Sequence, residues 1–382
     1  MAVYMIGFAL SVGLIAFSEK KRLPVFLTCS FFALLIPCLI AGLRAQHIGT
    51  DVLVYVKPLT ESAICADNLT DYFHSYWFRD WRNLYVQYYE LGFSMLVYLV
   101  SKLTKSLGCV LFAISAVIVT PIYIALSRNR KKAPVWLGML TFYLLYFGAS
   151  LNIMRQWAAM ALLLLALQLL QEKKYGWTVF LSLFACLFHN SAIIVFLIYA
   201  VYGMLRASAN SSLVIGRLKV SGPVVTLSVV FACSLLLLLC LNLVVKLMVA
   251  VGFTRFVGYI SGNPLSLLPM QILFRLPLVL LFLLCWRQFS AQNRTAPFFL
   301  MMLLLDILLS QLMSVASHAV RIGLYFSAYT VLWIPAMHSS LKTRRQRTLF
   351  CIAIIGYLLV YFLYNYVLQG RNQIYPYAFA GM

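Results

Sequence analysis

"FLTCSFFALLIPCLIAGLRAQHIGTDVLVY", residues 26–55, changes character in its middle. Residues 26–43 carry no charge, and the apolar run starts at Leu23. Wound as a helix at about 1.5 Å per residue, such a run covers the roughly 30 Å of a bilayer's hydrocarbon core. Arg44, His47 and Asp51 then follow within eight residues, with Gly49-Thr50 between the last two. A membrane span that ends on a base, an imidazole and an acid sets the fold and poses the functional question.

The rest of the chain agrees with a bilayer solvent. Of 382 residues, 63% are hydrophobic and only 10% charged, against about 25% charged in a soluble globular protein. Too few charges remain to clothe a water-facing surface, so the chain reads as an integral membrane protein. The apolar runs are long and continuous, which selects helices over a barrel of alternating strands. The net charge is +21, from 30 Lys and Arg against 9 Asp and Glu. Because many of these cations stand in short clusters between apolar runs, they read as the positive-inside signal, not as a nucleic-acid surface. The nine cysteines show no CxxC and no metal-ligand spacing, and nearly all lie inside apolar runs, where a thiol packs as a small hydrophobe. The first segment, "MAVYMIGFALSVGLIAFSEKKR", has its charges after the apolar run and no small-residue cleavage motif. It reads as a retained first span with an outer N-terminus.

Twelve apolar runs are expected as spans: 2–17, 23–43, 107–126, 134–151, 153–171, 175–189, 191–206, 223–250, 268–286, 296–316, 321–338 and 348–368. Threaded alternately, they place "EKKR" (19–22), "RNRKK" (128–132), "QEKK" (171–174), 206–219, 287–294 and "KTRRQR" (342–347) on the cytoplasmic side. Those six loops hold 18 of the 30 Lys and Arg. The fold class is thus an all-α polytopic bundle forming one integral-membrane domain, residues 1–382, with both termini and a long loop at about 44–90 outside. Residues 91–105 are too short for a span and are expected as a re-entrant or interfacial helix on the outer side. Residues 175–206 are expected to break at "HNS" (189–191). The outer loop contains six of the nine acids, and its "DYFHSYWFRDWRNLYVQYYE" (71–90) is rich in interfacial aromatics. Both a membrane-surface helix and an active-site lid fit that composition.

Charges at membrane depth are costly and mark function by default. "NIMRQ" places Asn152, Arg155 and Gln156 on one helix face at an outer helix start, a suitable seat for an oxyanion. "SHAVRIGLY" puts His318, Arg321 and Tyr325 in a similar array, "FTRFVGY" pairs Arg255 with Tyr259, and "GRNQIYPY" adds Arg371, Tyr375 and Tyr377. The plainer alternative is snorkelling to headgroups, which suits Arg371, Arg79 and Arg82 best. His189 has a structural alternative, a backbone hydrogen bond at the expected break. Arg275 could pair with Asp306 of the next span, although their expected depths argue against it. Several arginines with few acids imply an anionic substrate at the outer surface, and arginine is the cation that binds phosphate bidentately.

"LRxxxxGTDxxxY" (43–55), "YELGF" (89–93), "NxxRQxxA" (152–159), "FHNSA" (188–192), "RxxxY" (321–325) and the terminal "YPY" resemble, in order, the EpsG-type polysaccharide polymerases, which are similar to Wzy proteins. The resemblance implies a GT-C-like glycosyltransferase of the bacterial inner membrane with its site facing the periplasm. It would move a growing glycan from undecaprenyl pyrophosphate to the terminal sugar of another lipid-linked repeat unit. The implied partners are that lipid-linked oligosaccharide, membrane lipids and a polysaccharide chain-length regulator; no cofactor is implied. The chain departs from the family pattern at the Met before Arg155 and across 56–88.

For such a reaction, fixed cations would stabilise the pyrophosphate leaving group. Arg44, Arg155 and Arg321 are the expected clamp, supported by Asn152, Gln156, Arg255 and Tyr325. The acceptor hydroxyl needs a general base, for which Asp51 is the first candidate, His189 the second and Glu90 the third; Asp51 could instead form an ion pair with Arg44. No DxD motif stands on the outer side, so a metal-independent reaction is expected. Alternatives are a glycan ligase and, in another class, a flippase or transporter of lipid-linked sugars. A purely structural scaffold would leave the arginines at membrane depth without a purpose.

Overall fold

The computed structural model describes residues 1–215, 218–250, 265–315 and 320–381. It is 78% helical, and the chain divides into two compact units, 1–193 with 351–382, and 194–350.

The first unit begins with α1 (Ala2–Ser18) and α2 (Leu23–Gly42). It continues through α3 (Lys57–Cys65), α4 (Leu69–His74), a hairpin of β1 (Tyr76–Arg79) and β2 (Arg82–Tyr85), and α5 (Leu91–Thr104). Next come α6 (Leu107–Ser127), α7 (Val135–Leu145), α8 (Phe147–Ser150), α9 (Met154–Gln171) and α10 (Tyr175–Cys186). α9 is the axis: 78% of its 18-residue apolar window is enclosed by the protein, so whatever stands at its start is carried to the middle of the unit. Phe8 stacks on Tyr143 at 4.9 Å, and Tyr4, Phe147 and Trp157 are fully buried beside them. Lipid tails are as apolar as Leu, so packing and polar contacts between helices hold such a bundle. Ser11 donates to the Ala33 carbonyl at 2.7 Å and shares a hydrogen bond with Tyr143, tying α1, α2 and α7. Ser30 and Tyr123 tie α2 to α6.

Helix ends sort the polar residues into two sets. Arg128 at the end of α6 forms a bidentate pair with Glu172 at the end of α9, and Lys174 joins it at 3.1 Å. Glu19, after α1, accepts from the Trp136 N–H at the start of α7. The loops 19–22, 128–132 and 171–174 therefore share one end of the unit. Arg44, Glu90, Arg155 and His189 lie toward the other end: α2 finishes, and α5 and α9 begin, there.

α5 stays at that end. Glu90 before it bonds to Arg155 and His189, and Lys102 in its last turn donates to the Ala66 carbonyl. α6 then starts with Gly108 packed on Gly42, at the end of α2. Both ends of α5 are thus on one side, as expected of a re-entrant or interfacial helix. The 175–206 run breaks where expected: α10 ends at Cys186, and a 3₁₀ segment (Asn190–Ile194) precedes the next helix.

Two expectations are corrected. Among the described residues eight helices are long and apolar enough to cross a membrane, not twelve. The other four runs give shorter helices: α1, α7 and α10 have 17, 11 and 12 residues, and 321–338 is divided between helices of 8 and 11 residues, Val320–Ser327 and Thr330–Ser340; α7 is cut short where Tyr146 leaves the helical region, at φ −125° and ψ −19°. In addition, 71–90 is not a surface helix. After His74 the chain turns into the β1–β2 hairpin, with Asp80 and Trp81 both left-handed (φ 50° and 61°). That is the two-residue turn that matches strand twist, and the run of Tyr, Trp and Phe beside it favours strand.

The second unit holds α11 (Val195–Ala207), the strand pair β3 (Ser212–Ile215) and β4 (Leu218–Ser221), α12 (Gly222–Leu239) and α13 (Leu241–Ala250). α14 (Pro269–Gln292), α15 (Ala296–Ser310), α16 (Val320–Ser327) and α17 (Thr330–Ser340) follow. α18 (Arg344–Phe362) starts in this unit and ends in the first. Here Arg275 does pair with Asp306, contrary to the depth argument. Its Nε and Nη2 reach the two carboxylate oxygens at 2.6 and 3.1 Å, and Nη1 donates to the Gln271 carbonyl and side chain. The i, i+4 spacing of Gln271 and Arg275 lets one helix face satisfy the guanidinium, so depth is no obstacle. Breaking a buried pair by removing one partner costs about 3–5 kcal/mol. Asp306→Ala should therefore lower the melting temperature of the detergent-solubilised protein by several degrees, whereas Lys174→Ala, at an exposed pair, should not.

Candidate active site

Polar residues at the Arg155 end of the first unit build a connected network. Gly49 begins it. Its backbone is left-handed (φ +82°), and a Cβ there would stand 2.5 Å from the Leu151 carbonyl oxygen, so only glycine lets the 44–51 loop lie on the start of α9. Asn152 fastens the same contact: its Oδ1 accepts from the Thr50 hydroxyl at 2.8 Å and the Asp51 N–H at 3.1 Å, while its Nδ2 donates to Asn372 Oδ1 at 3.2 Å. The terminal "GRNQIYPY" segment thereby joins the site, and its neighbours pair with the loop in strand fashion, Ala45 N–H to Ala378 and Ala380 N–H to Leu43.

Asp51 precedes a π-helical turn, Val52–Val56, a local widening of the helix that recurs at functional sites. The turn presents Tyr55, whose hydroxyl donates to Asp51 Oδ2 at 2.8 Å. Arg155, in the first turn of α9, lies over the rings of Tyr55 and Tyr89 at 4.7 and 5.0 Å. Its Nη1 reaches Glu90 Oε2 at 2.5 Å.

Glu90 is the hub. Oε2 takes Arg155, and Oε1 takes His189 Nδ1 at 2.8 Å and the Asn190 N–H at 3.4 Å. "YELGF" and "FHNSA" meet because Gly92 N–H donates to the Leu187 carbonyl at 2.8 Å, at a spot where a Cβ would crowd that oxygen to 2.9 Å. Burial alone would raise the Glu90 carboxyl, but the His189 hydrogen bond and the Arg155 charge outweigh it and hold it down at about 2. Glu90 is therefore ionised at neutral pH and can only accept. It follows that His189 carries its proton on Nδ1 and, when neutral, leaves the Nε2 lone pair free.

Arg44 is deeper, only 2% exposed. Its Nη2 donates to the Leu151 carbonyl at 3.0 Å and approaches the Met154 sulfur. Burial lowers its guanidinium to about 10, while the phenols of Tyr4, Tyr377 and Tyr55 push the other way, so it stays charged at neutral pH. His47 is exposed on the loop. Gln156 is buried on α9 and contacts Met160 of its own helix. Arg321 is exposed and Tyr325 buried on α16, in the second unit. Arg255, Tyr259 and His318 lie outside the described residues. Among those described, no group of three or more His, Cys, Asp or Glu gathers to hold a metal.

The structure thus joins Arg44, Asp51, Glu90, Asn152, Arg155 and His189. Four members had no site role assigned from the sequence: Thr50, Tyr55, Tyr89 and Asn372. Tyr55 had a signal, standing one helical turn after Asp51. Tyr89 opens the "YELGF" word but was read only as one of the interfacial aromatics of 71–90, and nothing local marks Asn372.

A multi-pass helical membrane protein with an Arg–Glu–His centre at one end of its bundle is the class this architecture defines. The EpsG family matches residues 27–379, nearly the whole chain, and the protein belongs to that family of Wzy-type polysaccharide polymerases. No curated protein and no solved structure matches the chain.

Proposed function

We propose that the chain is an inner-membrane glycosyltransferase that polymerises lipid-linked repeat units at the periplasmic face. The growing glycan leaves undecaprenyl pyrophosphate and joins the terminal sugar of another lipid-linked unit. The observation that carries this reading is the single carboxylate, Glu90, that fixes both a guanidinium and an imidazole in a chain of the EpsG family.

The roles follow from geometry. The acceptor hydroxyl attacks the anomeric carbon; the new C–O bond forms as the bond to pyrophosphate breaks, and the leaving group takes the electron pair. Arg155, at the start of a long helix whose first N–H groups are free of intrahelical partners, faces that developing charge. Arg44, sealed beneath, adds positive potential without touching substrate, a change from its expected place in the clamp. His189 Nε2 takes the acceptor's proton, and Glu90 holds the ring as a positioning carboxylate. Asp51 is the second candidate base, with one carboxylate oxygen already committed to Tyr55.

Deletion of the gene in its own host tests this reading. Loss of a polymerase leaves a single repeat unit on the lipid acceptor. Loss of a ligase leaves polymer on its carrier, and loss of a flippase leaves lipid-linked units inside; unchanged long chains would sink the proposal.

A further inference from the structure

Outside the Arg155 network, the 53–79 segment lines an open cleft of about 880 Å³. Its wall comes from α3, α4 and the hairpin. Trp77, Tyr76 and Phe78 supply aromatic surface; Glu61, Asp71, His74 and Arg79 supply polar groups. We propose that this cleft is a glycan subsite, holding sugar rings of the repeat unit while the Glu90 cluster acts on the pyrophosphate end; the proposal rests on the polymerase reading above.

Two observations carry it. The first is chemistry. A sugar ring offers C–H faces to an aromatic plane and vicinal hydroxyls to carboxylates and guanidinium, and the lining has all three. Two acids against one arginine make a poor seat for an anionic headgroup. The second is continuity with the site. Trp77 stacks on Tyr89 at 5.6 Å and 21°, and Tyr89 carries Arg155 on its ring. The cleft wall is thus one aromatic ring removed from the arginine. Arg79 Nη1 donates to the Leu53 carbonyl at 2.9 Å, which fastens the hairpin to the π-turn of Tyr55.

The test uses the full chain in lipid nanodiscs and the host's own repeat-unit oligosaccharide, freed from its lipid by mild acid. Saturation-transfer NMR should detect binding to the wild type. Trp77→Ala should weaken it at least tenfold and Trp77→Phe less. Glu61→Gln, at a side chain 61% exposed where folding is not at stake, should weaken it about threefold. Arg128→Gln, at the opposite helix ends, should leave it unchanged. Equal binding by wild type, Trp77→Ala and Glu61→Gln, or none by wild type, overturns the subsite. So does displacement of the sugar by a glycerophospholipid headgroup at equal concentration. Chain lengths in cells carrying Arg155→Ala separate the two failures: if polymer is still lost, the polymerase reading survives the loss of the subsite. If chains stay long, the reading beneath the subsite falls and the subsite with it.

Discussion

Arg155→Ala should cut polymer formation by about 100-fold or more, with the protein still present in the membrane. Removing one preorganised donor aimed at a developing negative charge costs about 10²–10³ in rate. Arg155 is such a donor in the reading above. It also leaves Glu90 without its cation, so the loss includes a disturbed His189. Arg155→Lys tells the two parts apart. An ammonium can keep the ion pair with Glu90, but it cannot lie flat over Tyr55 and Tyr89 or offer a bidentate fork. Arg155→Lys should therefore keep a near-wild-type melting temperature and still lose at least about tenfold in chain extension, read as band intensity above one repeat unit.

Glu90→Gln carries the second large effect, on activity and on stability together. The amide keeps an acceptor for one partner but loses the charge that both Arg155 and His189 use. A carboxylate that orients a catalytic imidazole has been worth up to about 10⁴ in rate when made an amide, and a fall of two orders or more is expected here. The stability effect has a definite sign. The folded carboxyl titrates at about 2, below the ordinary 4.5 of an unpaired glutamate, so the folded state favours the ionised form. The corresponding stabilisation, roughly 3 kcal/mol, is fully present above about pH 4.5 and is lost as the pH falls through about 2. Melting temperatures measured from pH 7 down to pH 3 should show the wild type losing this increment only toward the acid end. Glu90→Gln should lie below the wild type at neutral pH, with the gap closing as the pH falls. A constant gap would mean that Glu90 acts through packing alone.

Most of the helices and half of the site were legible because each rests on a short-range signal. α2, α6 and α9 are apolar runs of the length a bilayer demands, and their ends could be read from the charges flanking them. Arg155 and Asn152 stand three residues apart, so a five-residue word brings both to the start of α9, although the helix begins at Met154 and Asn152 lies before it, on the Thr50 and Asp51 side of the site and not on one helix face with Arg155. Glu90 was legible only as a third-ranked base. Its role as hub depends on His189 and Arg155 arriving from 99 and 65 residues away, which no local pattern encodes. Arg44 shows the opposite limit. Its place at a span end suggested a surface ligand, but the C-terminal segment folds back across it and seals it in, a long-range event. Arg275 and Asp306 failed the depth argument because Gln271, one turn before Arg275, completes the guanidinium's hydrogen bonds inside the bundle.

The most direct measurement places the purified protein in proteoliposomes with the host's undecaprenyl-pyrophosphate-linked repeat unit as sole substrate. If the polymerase reading holds, a ladder of lipid-linked products rises by one repeat unit per step, with one undecaprenyl pyrophosphate released per step. The ladder should be absent with Arg155→Ala and at least about 100-fold weaker with Glu90→Gln. Repeat units that move across the bilayer without growing, or a ladder that forms equally well with Arg155→Ala, would contradict it.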